Sequence, residues 1–154
     1  EAVTLPGKCS IGGEAFAIIY QASTGRAFGL NSSGPAPLAA TPALYRSRGY
    51  TSIPVRGPLA VSPPGEIAAY QLSVDTFGTQ PLAKLLEPAI GYAQEGFPFP
   101  RGIARGISGS VDVLRQFPEA ASIYLRNGEP YDEGDILVQQ DLAIGCQLGC
   151  PTFK

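Results

Sequence analysis

Apolar positions recur along this chain with two periods. Phe16-Ala17-Ile18-Ile19-Tyr20 is a short, β-prone apolar run and predicts a buried strand. Gln21 to Gly25 reads as a turn with Gly25 suited to positive φ, and Arg26 to Leu30 as a second strand. Together they predict a hairpin with a longer, glycine-containing loop. A lone hairpin is marginal in water, so further strands or a covering layer are expected.

After the hairpin the period changes. Gly34, Pro35 and Pro37 rule out a regular element over residues 31–37. Thr41 suits an N-cap, with Pro42 at the first position of a short helix reaching Tyr45. Leu59 to Val61 reads as a short extended piece between Gly57-Pro58 and Pro63-Pro64-Gly65. Ile67, Tyr70, Val74 and Phe77 recur at helical spacing, with Gly78 as the stop. Leu82, Leu85, Leu86, Ala89, Ile90 and Ala93 form the next stripe, closed by Gly96. Pro88 within it predicts either a kink or the start of a second helix. Ile103, Ile107, Val111 and Leu114 make one further helical face, and Pro118 opens a short helical turn toward Tyr124. Asn127-Gly128 marks a turn. Ile136 to Val138 is extended. The order of a strand pair followed by helices predicts a mixed α and β fold with no internal repeat and no clear domain boundary.

Composition sharpens this in one respect above all. The 154 residues include no histidine, which removes Ser-His-Asp and Cys-His catalysis and His-ligated metals together. Any chemistry must use carboxylates, lysine, tyrosine or a nucleophile activated in another way. The net charge of −2, with no basic cluster, argues against nucleic acid and anionic membrane as partners. The apolar runs are far shorter than the ~18 residues of a spanning helix, and no basic start with an apolar stretch marks a signal peptide. Three cysteines, Cys9, Cys146 and Cys150, leave a Cys146–Cys150 bridge open, with unpaired thiols the favoured reading.

The candidate chemistry is sparse. Gly12-Gly13 precedes Glu14 and a strand, not the Lys and Ser or Thr of a phosphate loop, so it reads as a tight turn. Asp132, Glu133 and Asp135 lack the alternating pattern of a calcium loop and read as a solvated acidic turn. Ser32 and Ser33 lie in the loop after a strand, where sites are often lined, although a solvated loop fits them equally. No metal or cofactor is implied.

The same segments resemble the large subunit of the gamma-glutamyltransferase family: the glutathione hydrolases and the related cephalosporin-acylase-type enzymes. The resemblance begins at Val3 and Pro6 and tightens at Ile11-Gly12-Gly13 with Phe16, where Ser10 replaces a family glycine. "LNSSGPAPLAAT", from Leu30 to Thr41, sits where the family has a loop ending Ala-Pro and then Ala-Ala-Thr. Pro63-Pro64-Gly65 stands at a Val-Pro-Gly segment. "FGTQPLAKLLEPAIGYAQEGFPF", Phe77 to Phe99, is the strongest match, and "EGDILVQQDLA", Glu133 to Ala143, follows it with Gln140 at a usual proline.

The resemblance implies an N-terminal-nucleophile hydrolase fold, an αββα sandwich, present here as an incomplete portion with a strand hairpin and several helices. It divides the chain into a partial large-subunit domain, residues 1–143, and a divergent tail, 144–154. It also implies amide hydrolysis or acyl transfer on γ-glutamyl or related acyl-amide substrates. The nucleophile is the N-terminal Thr of a small subunit cut from the same precursor, so no catalytic residue is expected within this chain. In the family's Asp-x-Arg-Glu-x-Ala-Pro loop the arginine clamps the glutamyl α-carboxylate. Register places Asn31 at the Asp, Ser33 at the Arg and Gly34 at the Glu, making Asn31 and Ser33 the expected substrate-binding residues. A serine offers one neutral donor and no charge, which fits the acylase-like branch better than glutathione. The chain is expected to be inactive and aggregation-prone alone. The competing reading is a non-catalytic binding or structural remnant of the same fold.

Overall fold

The computed structural model describes residues 2–8 and 10–149. Among them the chain divides into two compact units, one over residues 11–72 and the other from 73 onward together with the N-terminal residues. The division falls inside a continuous helix, Glu66–Phe77. Nothing in the local composition of that helix marks it.

The unit over residues 11–72 begins with strands β1 (Phe16–Gln21) and β2 (Arg26–Asn31), paired antiparallel in a register that sets Phe16 against Asn31 and Gln21 against Arg26. Gly25 takes φ 65° in the connecting turn, as the sequence predicts, and Thr24 fastens that turn through its Oγ1 to Gln21 Oε1 at 2.9 Å. The strands alternate faces. One face carries Phe16, Ile18 and Tyr20, which are 66%, 85% and 66% exposed. The buried strand expected from the apolar run is therefore half right. The element forms, but among the described residues the sheet has only these two strands, and nothing covers that face. Helix α1 (Pro42–Ser47) follows with Thr41 as N-cap, its Oγ1 accepting from Leu44 N at 3.2 Å. The expected extended piece at Leu59–Val61 is instead a short 3₁₀ turn over Pro58–Ala60. Pro58 presets helical φ at its first position, and Ala60 N closes back on Gly57 O at 3.0 Å, the i→i+3 bond of such a turn. Helix α2 (Glu66–Phe77) closes this part of the chain.

In the other unit, α3 (Leu82–Glu95) runs unbroken with Pro88 inside it. Of the two outcomes predicted at Pro88, a second helix does not occur. Gly96 caps α3 at φ 96°, and its N–H returns to Tyr92 O. Strand β3 (Phe97–Pro98) pairs with β6 (Ile136–Leu137). The single helical face expected from Ile103 to Leu114 is split into α4 (Arg101–Ser108) and α5 (Val111–Leu114). Gly109 and Ser110 separate them, and glycine's poor helix propensity accounts for the break. Helix α6 (Pro118–Tyr124) leads into β4 (Leu125–Arg126) and β5 (Glu129–Pro130). Asn127 and Gly128, at φ 54° and 85°, make the two-residue turn between them, with the paired positive φ values of a type I′ hairpin.

Phe99, Ala104, Ile107, Leu125 and Leu137 form the core here, flanked by Ile103, Val111, Leu114, Ala121, Tyr124 and Tyr131. Helix α7 (Gln140–Gly149) packs on α3 through Ala93 and Ala143, with Val3 completing a second small cluster. The helix crosses the expected boundary at residue 143 without interruption, so residues 144–149 belong to it. Residues 150–154 lie outside the described set.

Candidate functional site

The unit over residues 11–72 buries no large apolar side chain. Its buried residues are Glu66 and Ala69. Hydrogen bonds and close backbone approach hold its loops instead. Three segments meet: residues 13–15 ahead of β1, 31–34 at the end of β2, and 62–66 leading into α2.

Ser32 ties the first two together. Its N–H donates to Ala15 O at 3.0 Å, its Oγ donates to the same carbonyl at 3.0 Å, and it accepts from Ala15 N at 2.6 Å. The amides of Gly65 and Glu66 both donate to Gly13 O at 3.1 Å, which ties the third segment to the first. The second and third lie backbone against backbone. A Cβ at Gly34 would overlap the Pro63 carbonyl, and one at Gly65 would overlap the Ser32 carbonyl. Only glycine permits both approaches.

Glu14 sits at the centre. Ser33 Oγ donates to its Oε2 at 2.9 Å, and Ser62 Oγ donates to its Oε1 at 2.5 Å. Asn31 Oδ1 accepts from Ser33 N at 2.8 Å, an Asx-type turn that fixes the Ser33 backbone. The two hydroxyls, Ser62 before Ser33, hold the Glu14 carboxyl below its ordinary range, helped by the Gly34 amide and opposed in part by desolvation. No described Lys or Arg forms an ion pair with it. The cluster is an ionised carboxylate oriented by two serines in an open loop junction. It offers orientation and charge, and contains no nucleophile activated by a base.

The two expected substrate-binding residues, Asn31 and Ser33, are thus brought together, joined by Glu14 and Ser62. Register pointed to the first pair. Glu14 stands out in the sequence only as the residue after the glycine pair, and Ser62 carries no signal, because its partner is 48 positions away. Gly12-Gly13 serves as the turn expected of it, with Gly13 supplying the shared acceptor.

The remaining candidates are structural. The acidic loop docks on Phe99: Gly134 N donates to Phe99 O, and Phe99 N donates to Asp135 O. Arg126 pairs with Asp135 at 3.3 Å and stands over the Tyr131 ring. No group of three or more metal-ligating side chains occurs among the described residues. Cys146 is buried. Cys9 and Cys150, and with the latter the Cys146–Cys150 bridge, lie outside the described residues.

A family model described as Gamma-glutamyltranspeptidase matches residues 1–146. The glutathione hydrolase proenzyme of Bacillus subtilis (strain 168) is 34% identical over 145 residues, which cover 92% of this chain and 24% of that protein. The crystal structure of Helicobacter pylori gamma-glutamyltranspeptidase superimposes with a TM-score of 0.87 at 29% identity, covering 94% of this chain and 42% of that one. Cephalosporin acylase from Bacillus halodurans gives a TM-score of 0.89 at 27% identity, covering 96% of this chain and 28% of that one. The chain spans about a quarter of the length of the curated relatives it matches.

Proposed function

The chain belongs to the gamma-glutamyltranspeptidase family, and from that premise we propose that it is a large-subunit portion of an N-terminal-nucleophile amidohydrolase or acyltransferase. In this reading a small subunit of the same precursor supplies the nucleophile as its N-terminal Thr, whose own α-amine serves as base. The Thr hydroxyl adds to the substrate carbonyl, the amine leaves, and water or an acceptor amine releases the acyl group. Such chemistry needs no histidine, in keeping with a sequence that contains none. The name proenzyme, carried by the Bacillus relative, supports a processed partner.

This chain's contribution is substrate placement by Asn31, the last residue of β2, and Ser33 in the loop that follows. The observation that carries the reading is their convergence with Glu14 and Ser62 within a region matched throughout to the family. Ser33 in place of a guanidinium removes the fork that suits a carboxylate, so the acyl-amide substrates of the acylase-like branch are favoured over glutathione. Residues 144–149 complete α7, and we assign 144–154 to a divergent end of the large-subunit domain.

The test is co-production of the chain with a Thr-led small subunit and assay on γ-glutamyl and acyl-amide chromogenic substrates. Turnover is expected only in the assembled form and on the acyl-amide. Turnover by the chain alone, or none by the assembly, contradicts the proposal.

A further inference from the structure

Ser33 has a single proton to donate, and the structure shows where it goes. Its Oγ donates to Glu14 Oε2, as the Ser62 Oγ donates to Oε1. Neither hydroxyl has a proton left for a ligand. What the two serines and the carboxylate offer outward is acceptor capacity: the hydroxyl lone pairs and, with the Gly34 amide also on the carboxyl, about one of the roughly four acceptor sites of an ionised carboxylate. A ligand carboxylate is also acceptor-only. Placed here it would find no hydroxyl donor and would face a like charge. The donor left in the cluster is Asn31 Nδ2, since Asn31 Oδ1 is held by Ser33 N. One neutral amide suits a carbonyl oxygen better than a carboxylate.

We propose that Glu14 is a specificity-determining residue of this loop, and that the cluster recognises an acyl-amide substrate through an ammonium or similar N–H donor where a glutamyl substrate carries its α-carboxylate. This rests on the reading of the chain as part of an acyl-amide hydrolase. An ammonium brings three donors and a positive charge, matching the free acceptors and the unpaired carboxylate. The serines keep Glu14 ionised and aimed into the junction, while Gly34 and Gly65 keep the two loops close enough for Ser33 and Ser62 to reach the same carboxylate.

Three p-nitroanilides separate the groups on the assembled enzyme: the 4-aminobutanoyl anilide (ammonium only), the glutaric monoanilide (carboxylate only) and the γ-glutamyl anilide (both). The expected kcat/KM ratio of the first to the second is about tenfold, a typical worth of a charged hydrogen bond. Glu14→Gln should bring that ratio near one, and Ser33→Arg should invert it. Glu14→Asp keeps the charge and should keep the direction of the preference, which separates loss of the charge from a folding defect in Glu14→Gln. Equal cleavage of the two anilides, a preference for the carboxylate, or a ratio unchanged in Glu14→Gln overturns the inference. Equilibrium binding of 4-aminobutanamide against glutaramic acid, on the same complex, reads the selectivity without turnover. An enzyme that cleaves nothing contradicts the functional reading, while this binding ratio still decides the role of Glu14.

Discussion

Glu14 is held ionised by neighbours that the sequence places far from it. Its carboxyl titrates below the ordinary glutamate value because the Ser62 and Ser33 hydroxyls favour the charged form. Since the folded-state value is the lower one, the stabilisation is complete above the unfolded-state pKa and is lost as pH falls through the folded one. A carbon-detected pH titration should therefore give Glu14 the lower midpoint. Ser62→Ala should raise it more than Ser33→Ala, and equal midpoints in all three proteins would contradict the hydrogen-bond account. Gly34→Ala tests the junction. Its Cβ meets the Pro63 carbonyl, so the loops must part, and the Glu14 midpoint should rise although no side chain of the cluster has changed. At this scale the sequence was readable only where the family register reached. Asn31 and Ser33 stand out in the sequence because a family loop passes through them. Ser62 was invisible because a contact across 48 positions leaves no periodic trace.

Elements were legible where one rule dominated. The hairpin followed from two β-prone runs around a glycine turn, and α2 and α3 followed from apolar spacing. The failures share a cause: several weak preferences compete over a few residues. Pro58 turned an extended reading into a 3₁₀ turn, and Gly109 divided a helical face whose apolar spacing alone looked continuous. Gly96 shows how sharply one position can be fixed. It sits at φ 96°, and a Cβ there would collide with Ile136. Gly96→Ala should destabilise the α3–β3 junction by more than the ~1 kcal/mol typical of a simple glycine-to-alanine conflict, seen as a lower urea midpoint. Leu137, buried in the main core, should cost about 2–5 kcal/mol when cut to alanine. A loss below ~1 kcal/mol in chemical denaturation would mean that this core is not closed as described.

At the scale of the whole molecule, an apolar sheet face stands open at Phe16, Ile18 and Tyr20, and the chain spans about a quarter of its curated relatives. Mixed α and β content, the hairpin and the helices after it were all anticipated. The exposure of β1 was not, because an apolar run predicts that a strand will be covered without saying by which chain. An uncovered two-stranded sheet is a template for association, so the isolated chain should sediment as polydisperse aggregates. A Thr-led subunit from the same precursor should bring it to one defined species. The most direct measurement is N-terminal sequencing of whatever polypeptide co-purifies with this chain when it is expressed from its own locus. The account predicts a stoichiometric partner beginning with Thr. A chain that purifies alone and unfolds cooperatively, or a partner beginning with a residue that cannot act as a nucleophile, would contradict it.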